Sequence, residues 1–370
     1  MRIGVPRETK DHEYRVGLTP GGVKLLCSEG HEVWIETNAA LRIGFPDSAY
    51  RDAGACIGNG PADIYDCELI VKVKEPQPAE FKLVRPGQTL FCYQHFAPNR
   101  VLLERMLETK VSCVAYETVT DTAGGLPLLA PMSQIAGRLS IQVGAWALQM
   151  ANGGCGVLLP GIPGVAPGKV IIIGAGTVGS NAAHIAVGME ADVTVLALNA
   201  LRLEQLERAY PGKIKTRLSE PLNLAEHVAD ADLVIGAVSI AGKQPPKLIS
   251  RELLGKMRPG SVLVDVSIDQ GGIAETSRPT THSNPLYMEQ GVVHYCVANM
   301  PSAVARTATF ALTQATLPYV RTLAKHGLKA AVLSDPGLKN GLQIHAGHIT
   351  YKNLAEDMGK PYVSPEQALV

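Results

Sequence analysis

Hydrophobic and polar positions follow two alternating patterns along the first third of the chain. Short apolar runs predict strands at residues 1–5, 31–36, 68–73, 88–93 and 111–116. Between these runs, apolar residues recur at helical spacing over residues 20–29 and 99–110, and Asn99 is placed to cap the start of the second helix. Strands separated by helices of this length predict βαβ units and a mostly parallel sheet.

The middle third repeats this order after a long helix, predicted for residues 132–150, and a connector of six glycines and three prolines at residues 153–168. Continuous Val, Ile and Leu runs, typical of strands buried on both faces, follow at residues 169–173, 192–196, 232–238, 261–266 and 292–298. The sequence therefore predicts a second sheet-bearing region.

The last third begins with a long helix, predicted for residues 304–325. Residues 336–370 predict short helices and loops that cover a surface, with His345 and His348 exposed on it. Because this segment is too short to form its own core, we expect it to pack on the first region.

Composition narrows the function classes. The 370 residues are 46% hydrophobic and 18% charged, with 34 basic and 34 acidic side chains, so intrinsic disorder and a general attraction to nucleic acid or anionic membrane are not expected. No apolar run approaches the roughly 18 residues of a membrane span, and the N-terminus does not resemble a signal peptide. Seven scattered cysteines without a CxxC pair argue against a disulfide scaffold or a zinc site. We expect a cytoplasmic protein without a metal.

A glycine-rich turn follows the predicted strand at residues 169–173. Gly174, Gly176 and Gly179 form a GxGxxG pattern that opens a helix at residues 177–188. In this pattern the first glycine permits the tight turn, the second lets the backbone approach a pyrophosphate, and the third lets helix and strand pack closely. Because strand, glycines, helix and next strand occur in the required order, we predict dinucleotide binding rather than a purely structural turn.

The ribose end of this predicted site departs from the usual pattern. The second strand of such a site usually ends in an acid that binds the ribose hydroxyls and repels a 2′-phosphate, but this chain has Ala197 there. Arg202 lies five residues further on and has the guanidinium geometry that suits a phosphate. One interpretation is that NADP is tolerated and NAD binding weakened. The other is that NAD binds normally through Asn199 and backbone groups.

Four polar features lie where predicted strands end, which is where open α/β sheets bind ligands. They are Arg15, the alternating pair Lys72 and Lys74, His95, and Asp269. Each alone has an ordinary structural explanation, such as a surface charge or a turn residue. Together they supply a cation for a substrate carboxylate, a donor to polarise a carbonyl or imine, and an acid–base group, as hydride chemistry on a small acid requires.

Several segments carry a specific resemblance. They are RIGVPRETK, EYRVGLTPGGV, LIVKVKEP, LPLLAPMSQIAGR, PGSVLVDVSIDQGG and VVHYCVANMP, in this order. The chain resembles the alanine dehydrogenase family, which is related to the NAD-binding subunit of proton-pumping transhydrogenase, from Met1 to about Tyr362. The resemblance implies an α/β fold of two Rossmann-like, doubly wound parallel-sheet domains joined by long helices, with a cleft between them. It implies a substrate domain from residues 1–128 and 306–370, a dinucleotide-binding domain from residues 129–305, and a homo-hexamer.

The same resemblance implies the reaction and the residues that carry it. Family members convert L-alanine reversibly to pyruvate and ammonia and transfer a hydride to NAD. Arg15 matches the arginine that pairs with the substrate carboxylate. Lys74 matches the lysine that binds and polarises the keto or imino centre of the substrate. His95 matches the acid–base histidine, Asp269 an acid that activates water or ammonia, and Asn299 a residue lining the cleft. The implied cofactor contacts are Ser133, Gly174, Gly176, Thr177, Val178, Gly179, Ala197, Arg202, Ser219, Val238 and Ile268.

Two departures and two alternatives accompany this resemblance. Ala197 replaces the aspartate that the family uses at the ribose, and Gln94 stands beside His95 where a hydrophobic residue is usual. The alternatives are an NAD(H)-binding subunit of the transhydrogenase type and a nucleotide sensor without catalysis. The sensor would bind cofactor without turning over any amino acid.

Overall fold

A computed structural model describes residues 1–238 and 244–370. Within these residues the chain forms two compact units. The first unit comprises Met1–Met132 and Val304–Val370, and the second unit comprises Ser133–Ala303.

The strands and helices are numbered here in chain order. The strands are β1 (Arg2–Val5), β2 (Glu32–Glu36), β3 (Cys56–Gly58), β4 (Leu69–Val71), β5 (Thr89–Cys92), β6 (Ser112–Ala115), β7 (Lys169–Ile173), β8 (Asp192–Ala197), β9 (Ile214–Leu218), β10 (Leu233–Gly236), β11 (Val262–Asp265), β12 (Leu286–Glu289), β13 (Val292–Tyr295), β14 (Leu342–His345) and β15 (His348–Ile349). The helices are α1 (Pro20–Ser28), α2 (Asp47–Asp52), α3 (Pro61–Ile64), α4 (Arg100–Thr109), α5 (Ala130–Ala147), α6 (Thr177–Gly188), α7 (Ala200–Ala209), α8 (Pro221–Ala229), α9 (Arg251–Leu254), α10 (Ala305–Ser334), α11 (Pro336–Gly341), α12 (Lys352–Met358) and α13 (Pro365–Ala368).

The first unit is built on a sheet in the order β15-β14-β6-β5-β4-β1-β2-β3. The six strands from β1 to β6 are parallel to their neighbours and have the doubly wound order 3-2-1-4-5-6. Helix α4 begins as predicted, because the Asn99 side chain accepts the N–H of Leu102 at 3.1 Å. Its buried face places Leu103 and Met106 in one core cluster with Leu90 of β5.

The end of the chain differs from the sequence prediction. Residues 342–345 form strand β14, which pairs antiparallel with β6 and continues into β15, where short helices and loops alone were expected. Only Leu342 and Ile344 of β14 are apolar, so this strand lacks the continuous apolar run by which the other strands were predicted. His345 is partly exposed, with its Nδ1 2.8 Å from Ser112 Oγ, and His348 is exposed.

The second unit contains a sheet in the order β12-β13-β11-β10-β7-β8-β9. Among the described strands of this second sheet, only β12 runs antiparallel to its neighbour. The other six strands are parallel and repeat the 3-2-1-4-5-6 order. The predicted fold class, two α/β domains with parallel sheets flanked by helices, is therefore confirmed. Strands β3, β9 and β12 were not predicted, because their partly exposed residues lack a continuous apolar run.

Helix α10 extends further than the predicted helix at residues 304–325. Gly327 interrupts it with a left-handed φ of 73°, and helical residues continue to Ser334. None of the helices in the described residues is both long and apolar enough to cross a membrane. All seven cysteines are free, and Cys56 is exposed.

Candidate active site

The polar residues singled out in the first unit meet at the carboxyl edge of its sheet. Arg15 lies between β1 and α1, Lys74 follows β4, and His95 follows β5. The order of the sheet reverses between β1 and β4, and doubly wound sheets bind ligands at such a switch point.

Arg15 is a buried cation held by one acid. Its side chain is 1% exposed, and its Nε and Nη2 donate to the two carboxylate oxygens of Glu13 at 2.7 and 2.6 Å. Burial lowers the pKa of Arg15, but the hydrogen bonds and charge of Glu13 outweigh this and raise the pKa above its usual value. Because Arg15 is buried, the alternative of an ordinary surface charge is wrong.

Lys72 has a different role from Lys74. Its ammonium is buried and donates to Glu80 Oε1 at 2.9 Å and Glu8 Oε2 at 3.4 Å. The other oxygen of Glu8 accepts the N–H of Val73 at 2.7 Å and of Lys74 at 3.4 Å. Burial raises the pKa of Glu8 to about 7, although Lys72 opposes the shift. This buried network supports the turn that carries Lys74.

Tyr93 lies among the candidate residues and was not singled out from the sequence. The Lys74 ammonium lies 6.0 Å from the centre of its ring, and the His95 ring stacks on it with centroids 5.8 Å apart and planes 11° apart. Burial raises the pKa of Tyr93, and the charge of Arg15 opposes that shift. Its hydroxyl donates to the carbonyl of Leu128 at 2.6 Å. One anchored aromatic ring thus brings Lys74 and His95 together.

His95 occupies a turn with an unusual backbone. Its φ is 48°, in the left-handed region that a residue with a Cβ rarely adopts. Glu117, which was not singled out from the sequence, accepts the N–H of His95 at 2.7 Å and that of Gln94 at 3.1 Å. The side chain of Gln94 is fully buried, and its amide finds no hydrogen-bond partner among the described residues.

The glycine turn in the second unit is shaped for close approach. Gly174 has φ 113°, and a Cβ there would lie 2.3 Å from the carbonyl oxygen of Ala237. A Cβ at Gly179 would lie 1.8 Å from Gly174 O, whereas a Cβ at Gly176 would meet no atom within 4 Å. Neighbouring backbone atoms thus leave no room for a side chain at Gly174 or Gly179, whereas the space beside Gly176 is empty of protein atoms.

The helix that follows this turn leaves its amino end available. Helix α6 begins at Thr177 without a side-chain cap and without an acid in its first turn. Uncapped N–H groups and the helix dipole favour a negatively charged group. Together with the opening at Gly176, this arrangement fits the pyrophosphate of a dinucleotide. Val178 is half-buried in the same turn of helix.

The carboxyl ends of strands β8 and β9, at Ala197 and Leu218, form the part of the sheet edge that we call the ribose end, because the ribose of a dinucleotide is expected there. Ala197 is the last residue of β8, and its carbonyl accepts the N–H of Ser219 at 3.0 Å. The Asn199 side-chain oxygen accepts the N–H of Arg202 at 3.2 Å and thereby caps α7. Asn199, the alternative ribose contact, therefore has one of the two lone pairs of its oxygen engaged in the fold.

Asp269 lies exposed in a short 3₁₀ turn, Val266–Gln270, directly after β11. Asp265, which the sequence did not single out, supports this turn. Its buried carboxylate accepts the N–H groups of Ser267 at 3.1 Å and Ile273 at 2.8 Å and the hydroxyl of Ser277 at 2.6 Å. Burial raises the pKa of Asp265, and these hydrogen bonds oppose the shift.

The remaining predicted contacts have varied surroundings. Val238 exchanges hydrogen bonds with Ser267 at 3.0 and 2.7 Å, and Ile268 is 3% exposed in the core. Ser133 is half-exposed in α5. Asn299 has φ 64°, and its carbonyl accepts the N–H of Ser302 at 3.1 Å.

Within residues 1–238 and 244–370, no group of three His, Cys, Asp or Glu side chains is arranged to hold a metal ion.

Comparison with known proteins decides the family. Sequence models of the alanine dehydrogenase/PNT family match twice, with the N-terminal domain over residues 4–136 and the C-terminal domain over residues 140–352. The chain belongs to the alanine dehydrogenase/PNT family. The resemblance described from the sequence motifs is thereby confirmed.

Relatives in this family match over almost the whole chain. An alanine dehydrogenase from Halomonas elongata is 52% identical over 98% of this chain and 98% of its own length. One from Bacillus subtilis is 50% identical over 100% of this chain and 98% of its own length. A solved L-alanine dehydrogenase structure, 47% identical, has a TM-score of 0.94 over 97% of this chain and 99% of that chain. A transhydrogenase structure from Sinorhizobium meliloti, 24% identical with a TM-score of 0.82 over 95% of this chain and 99% of that chain, shows the same fold.

Proposed function

We propose that this chain catalyses the reversible oxidative deamination of L-alanine to pyruvate and ammonia, with NAD as the hydride acceptor. One observation carries the proposal: Lys74 and His95 lie against the ring of Tyr93, and Arg15 follows the neighbouring strand β1 to the same carboxyl edge of the first unit's sheet. Two full-length relatives that are named alanine dehydrogenase support it.

In this proposal, the buried cations bind and polarise the substrate. Arg15, fixed by Glu13, pairs with the carboxylate of alanine, since a guanidinium matches carboxylate geometry. Lys74 stabilises the negative charge that develops on the substrate oxygen during the later steps. Both side chains lie at the same sheet edge, so one small amino acid contacts both.

The cofactor belongs on the glycine turn of the second unit. The opening at Gly176 and the uncapped start of α6 at Thr177 would hold its pyrophosphate. When bound, NAD takes the hydride that leaves the α-carbon of the substrate. We assign the remaining contacts to Ser133, Val178, Val238 and Ile268 by their match to the family.

His95 is assigned the proton transfers on the substrate. Loss of hydride leaves an iminium carbon, and water adds to it as His95 accepts the water's proton. His95 then returns that proton to the nitrogen and accepts the proton of the adduct's hydroxyl as the C–N bond breaks, which gives pyruvate and ammonia. Asp269 assists the activation of water, and Asn299 is assigned to the lining of the substrate site.

The assembly and location follow from the same proposal. We propose a cytoplasmic homo-hexamer, because the family resemblance implies it and all seven cysteines are free thiols. Apolar side chains are exposed along the glycine- and proline-rich connector at Leu158, Ile162 and Val165, as expected for a surface that contacts another copy. Light scattering coupled to size-exclusion chromatography measures the number of copies directly.

An initial-rate assay tests the proposed function. The full-length protein is mixed with L-alanine and NAD, NADH is followed by absorbance, and pyruvate and ammonia are measured at the end. Equal amounts of NADH, pyruvate and ammonia support the proposal. Binding of NAD without turnover of L-alanine or any other amino acid rejects it in favour of a non-catalytic nucleotide-binding protein.

A further inference from the structure

The carboxyl ends of β8 and β9 form a ribose end without the usual acid. Residues 197–203 contain one charged side chain, Arg202, and the first turn of α7 contains no acid. Leu198, which follows Ala197, is 85% exposed. The carboxylate next along the chain, Glu204, forms an ion pair with Arg208.

Because no acid ends strand β8, this chain lacks both effects that such an acid has on a bound cofactor. A carboxylate at position 197 would accept from the ribose hydroxyls and repel a 2′-phosphate, whereas the methyl group of Ala197 does neither. Asn199 is the side chain nearest in sequence that has an acceptor oxygen, and that oxygen already caps α7. Residues 197–199 therefore carry no acid that would repel a 2′-phosphate.

Two residues that follow these strands along the chain suit a phosphate: Arg202 in the first turn of α7 and Ser219 directly after β9. Arg202 is exposed and makes no ion pair within residues 1–238 and 244–370. Ser219 is half-exposed and is tied to Ala197 by its own backbone N–H at 3.0 Å, which keeps its hydroxyl beside the strand end. The opposing charge is Glu220, which follows Ser219 at the start of α8 and is exposed.

We propose that this ribose end accepts a 2′-phosphate, so that NADP(H) serves as a cofactor beside NAD(H). Arg202 binds the phosphate through its guanidinium, and the Ser219 hydroxyl donates a second hydrogen bond. The proposal rests on the proposed dehydrogenase function and adds the class of cofactor that the site takes.

Binding of two small probes tests the proposal without turnover. Adenosine 2′,5′-bisphosphate carries the 2′-phosphate, and 5′-AMP lacks it. By isothermal titration, the wild-type protein should bind the bisphosphate at least as tightly as 5′-AMP. Arg202→Gln should weaken bisphosphate binding by about 10- to 100-fold, the effect of one charge-assisted hydrogen bond, and leave 5′-AMP binding unchanged.

Arg208→Gln is the matched control. Arg208 lies on the same helix, is exposed and carries the same charge, so its variant changes the net charge equally. It should leave both affinities unchanged. If Arg208→Gln weakens bisphosphate binding as much as Arg202→Gln does, the effect is one of net charge and the proposal is overturned.

Ala197→Asp restores the acid and supplies an independent result. It should reduce bisphosphate binding by about 10- to 100-fold while 5′-AMP binding is kept or improved. A wild-type protein that binds 5′-AMP at least tenfold more tightly than the bisphosphate overturns the proposal. If the wild-type protein prefers 5′-AMP in this way but still oxidises alanine with NAD, only the proposal that NADP(H) is a cofactor is rejected. If the protein does not oxidise alanine with NAD, the proposed dehydrogenase function is rejected.

Discussion

The backbone N–H of His95 donates to the carboxylate of Glu117 at 2.7 Å. The two residues follow neighbouring parallel strands, β5 and β6, and so reach the same sheet edge. Because His95 holds a positive φ of 48°, this hydrogen bond and the one from Gln94 oppose relaxation of the turn. Glu117 thus positions the imidazole through the backbone.

Removal of the Glu117 carboxylate should therefore impair catalysis more than substrate binding. Glu117→Ala leaves two turn N–H groups without their acceptor, and we expect kcat to fall by about 10- to 100-fold, equivalent to about 1.4–2.8 kcal/mol. Glu117→Gln keeps an acceptor oxygen and should retain kcat within a few-fold. Steady-state kinetics with L-alanine measures both variants.

Glu104→Ala serves as the control for that comparison. Glu104 is an exposed carboxylate paired with Lys360, away from the sheet edge, so its loss should leave kcat unchanged. Equal losses in Glu117→Ala and Glu117→Gln would show that the charge, rather than the position of the turn, is what matters.

His95→Ala should abolish most of the activity without loss of the cofactor. Removal of a general acid–base group costs roughly 10²–10⁴-fold in turnover. NAD binding, measured by titration calorimetry, should be unchanged, because the glycine turn belongs to the second unit. His348→Ala, which alters an exposed histidine, should keep full activity. Unchanged turnover in His95→Ala would remove this residue from the mechanism.

The buried Glu8 should make the protein less stable as pH rises. Burial raises its pKa from 4.5 to about 7, so the folded protein binds this proton more tightly than the unfolded chain does. Its contribution is full below pH 4.5 and is lost as pH rises to about 7, a change of about 3 kcal/mol in the free energy of unfolding. Thermal unfolding from pH 4.5 to 8 measures this trend.

Glu8→Gln removes the titrating group and should flatten that pH dependence. Glu104→Gln, which alters an exposed carboxylate, should retain the wild-type trend. A Glu8→Gln protein whose melting temperature still falls with pH as in the wild type would show that another group is responsible.

Gly176→Ala should weaken the binding of NAD without changing the stability of the fold. A Cβ at Gly176 meets no protein atom within 4 Å, so the melting temperature should not fall. The methyl group would instead occupy space needed by the pyrophosphate, and we expect NAD affinity to fall by about tenfold or more, at least 1.4 kcal/mol.

Gly188→Ala is the control on the same helix. Its Cβ also meets no atom within 4 Å, and it lies at the far end of α6 from the glycine turn. NAD affinity should be unchanged, and stability should be equal or slightly higher, since alanine is the better helix former. Equal affinity in both variants would place the pyrophosphate elsewhere.

The sequence predicted the elements with long or regular patterns. The strand at residues 169–173, helix α4 with its Asn99 cap, and the glycine turn at Gly174 each carry a local signal that the structure reproduces. Strands β9 and β14 were not predicted, because polar residues separate the apolar ones in both and neither has a continuous apolar run.

The candidate site was predictable only in part. Arg15, Lys74 and His95 were recognised as polar residues at strand ends, where such chemistry is expected. Tyr93 and Glu117 were not, because an aromatic residue and an acid near strand ends are common, and their contacts join residues separated in sequence. Lys72 and Lys74 were equivalent in the sequence, because both lie on the same face of one strand. In the structure, Lys72 instead donates to the buried carboxylates of Glu8 and Glu80.

The sequence by itself determined the family, the two parallel-sheet regions and the residue types at each strand end, because these depend on motifs and periodicities carried by contiguous residues. Tertiary structure alone decided which charges work together. Glu8 and Glu80 pair with Lys72, and Glu117 accepts the N–H of His95. Parallel strands bring distant segments to one edge, and burial there forces every charge to find a partner, so the pairing follows from the packed fold.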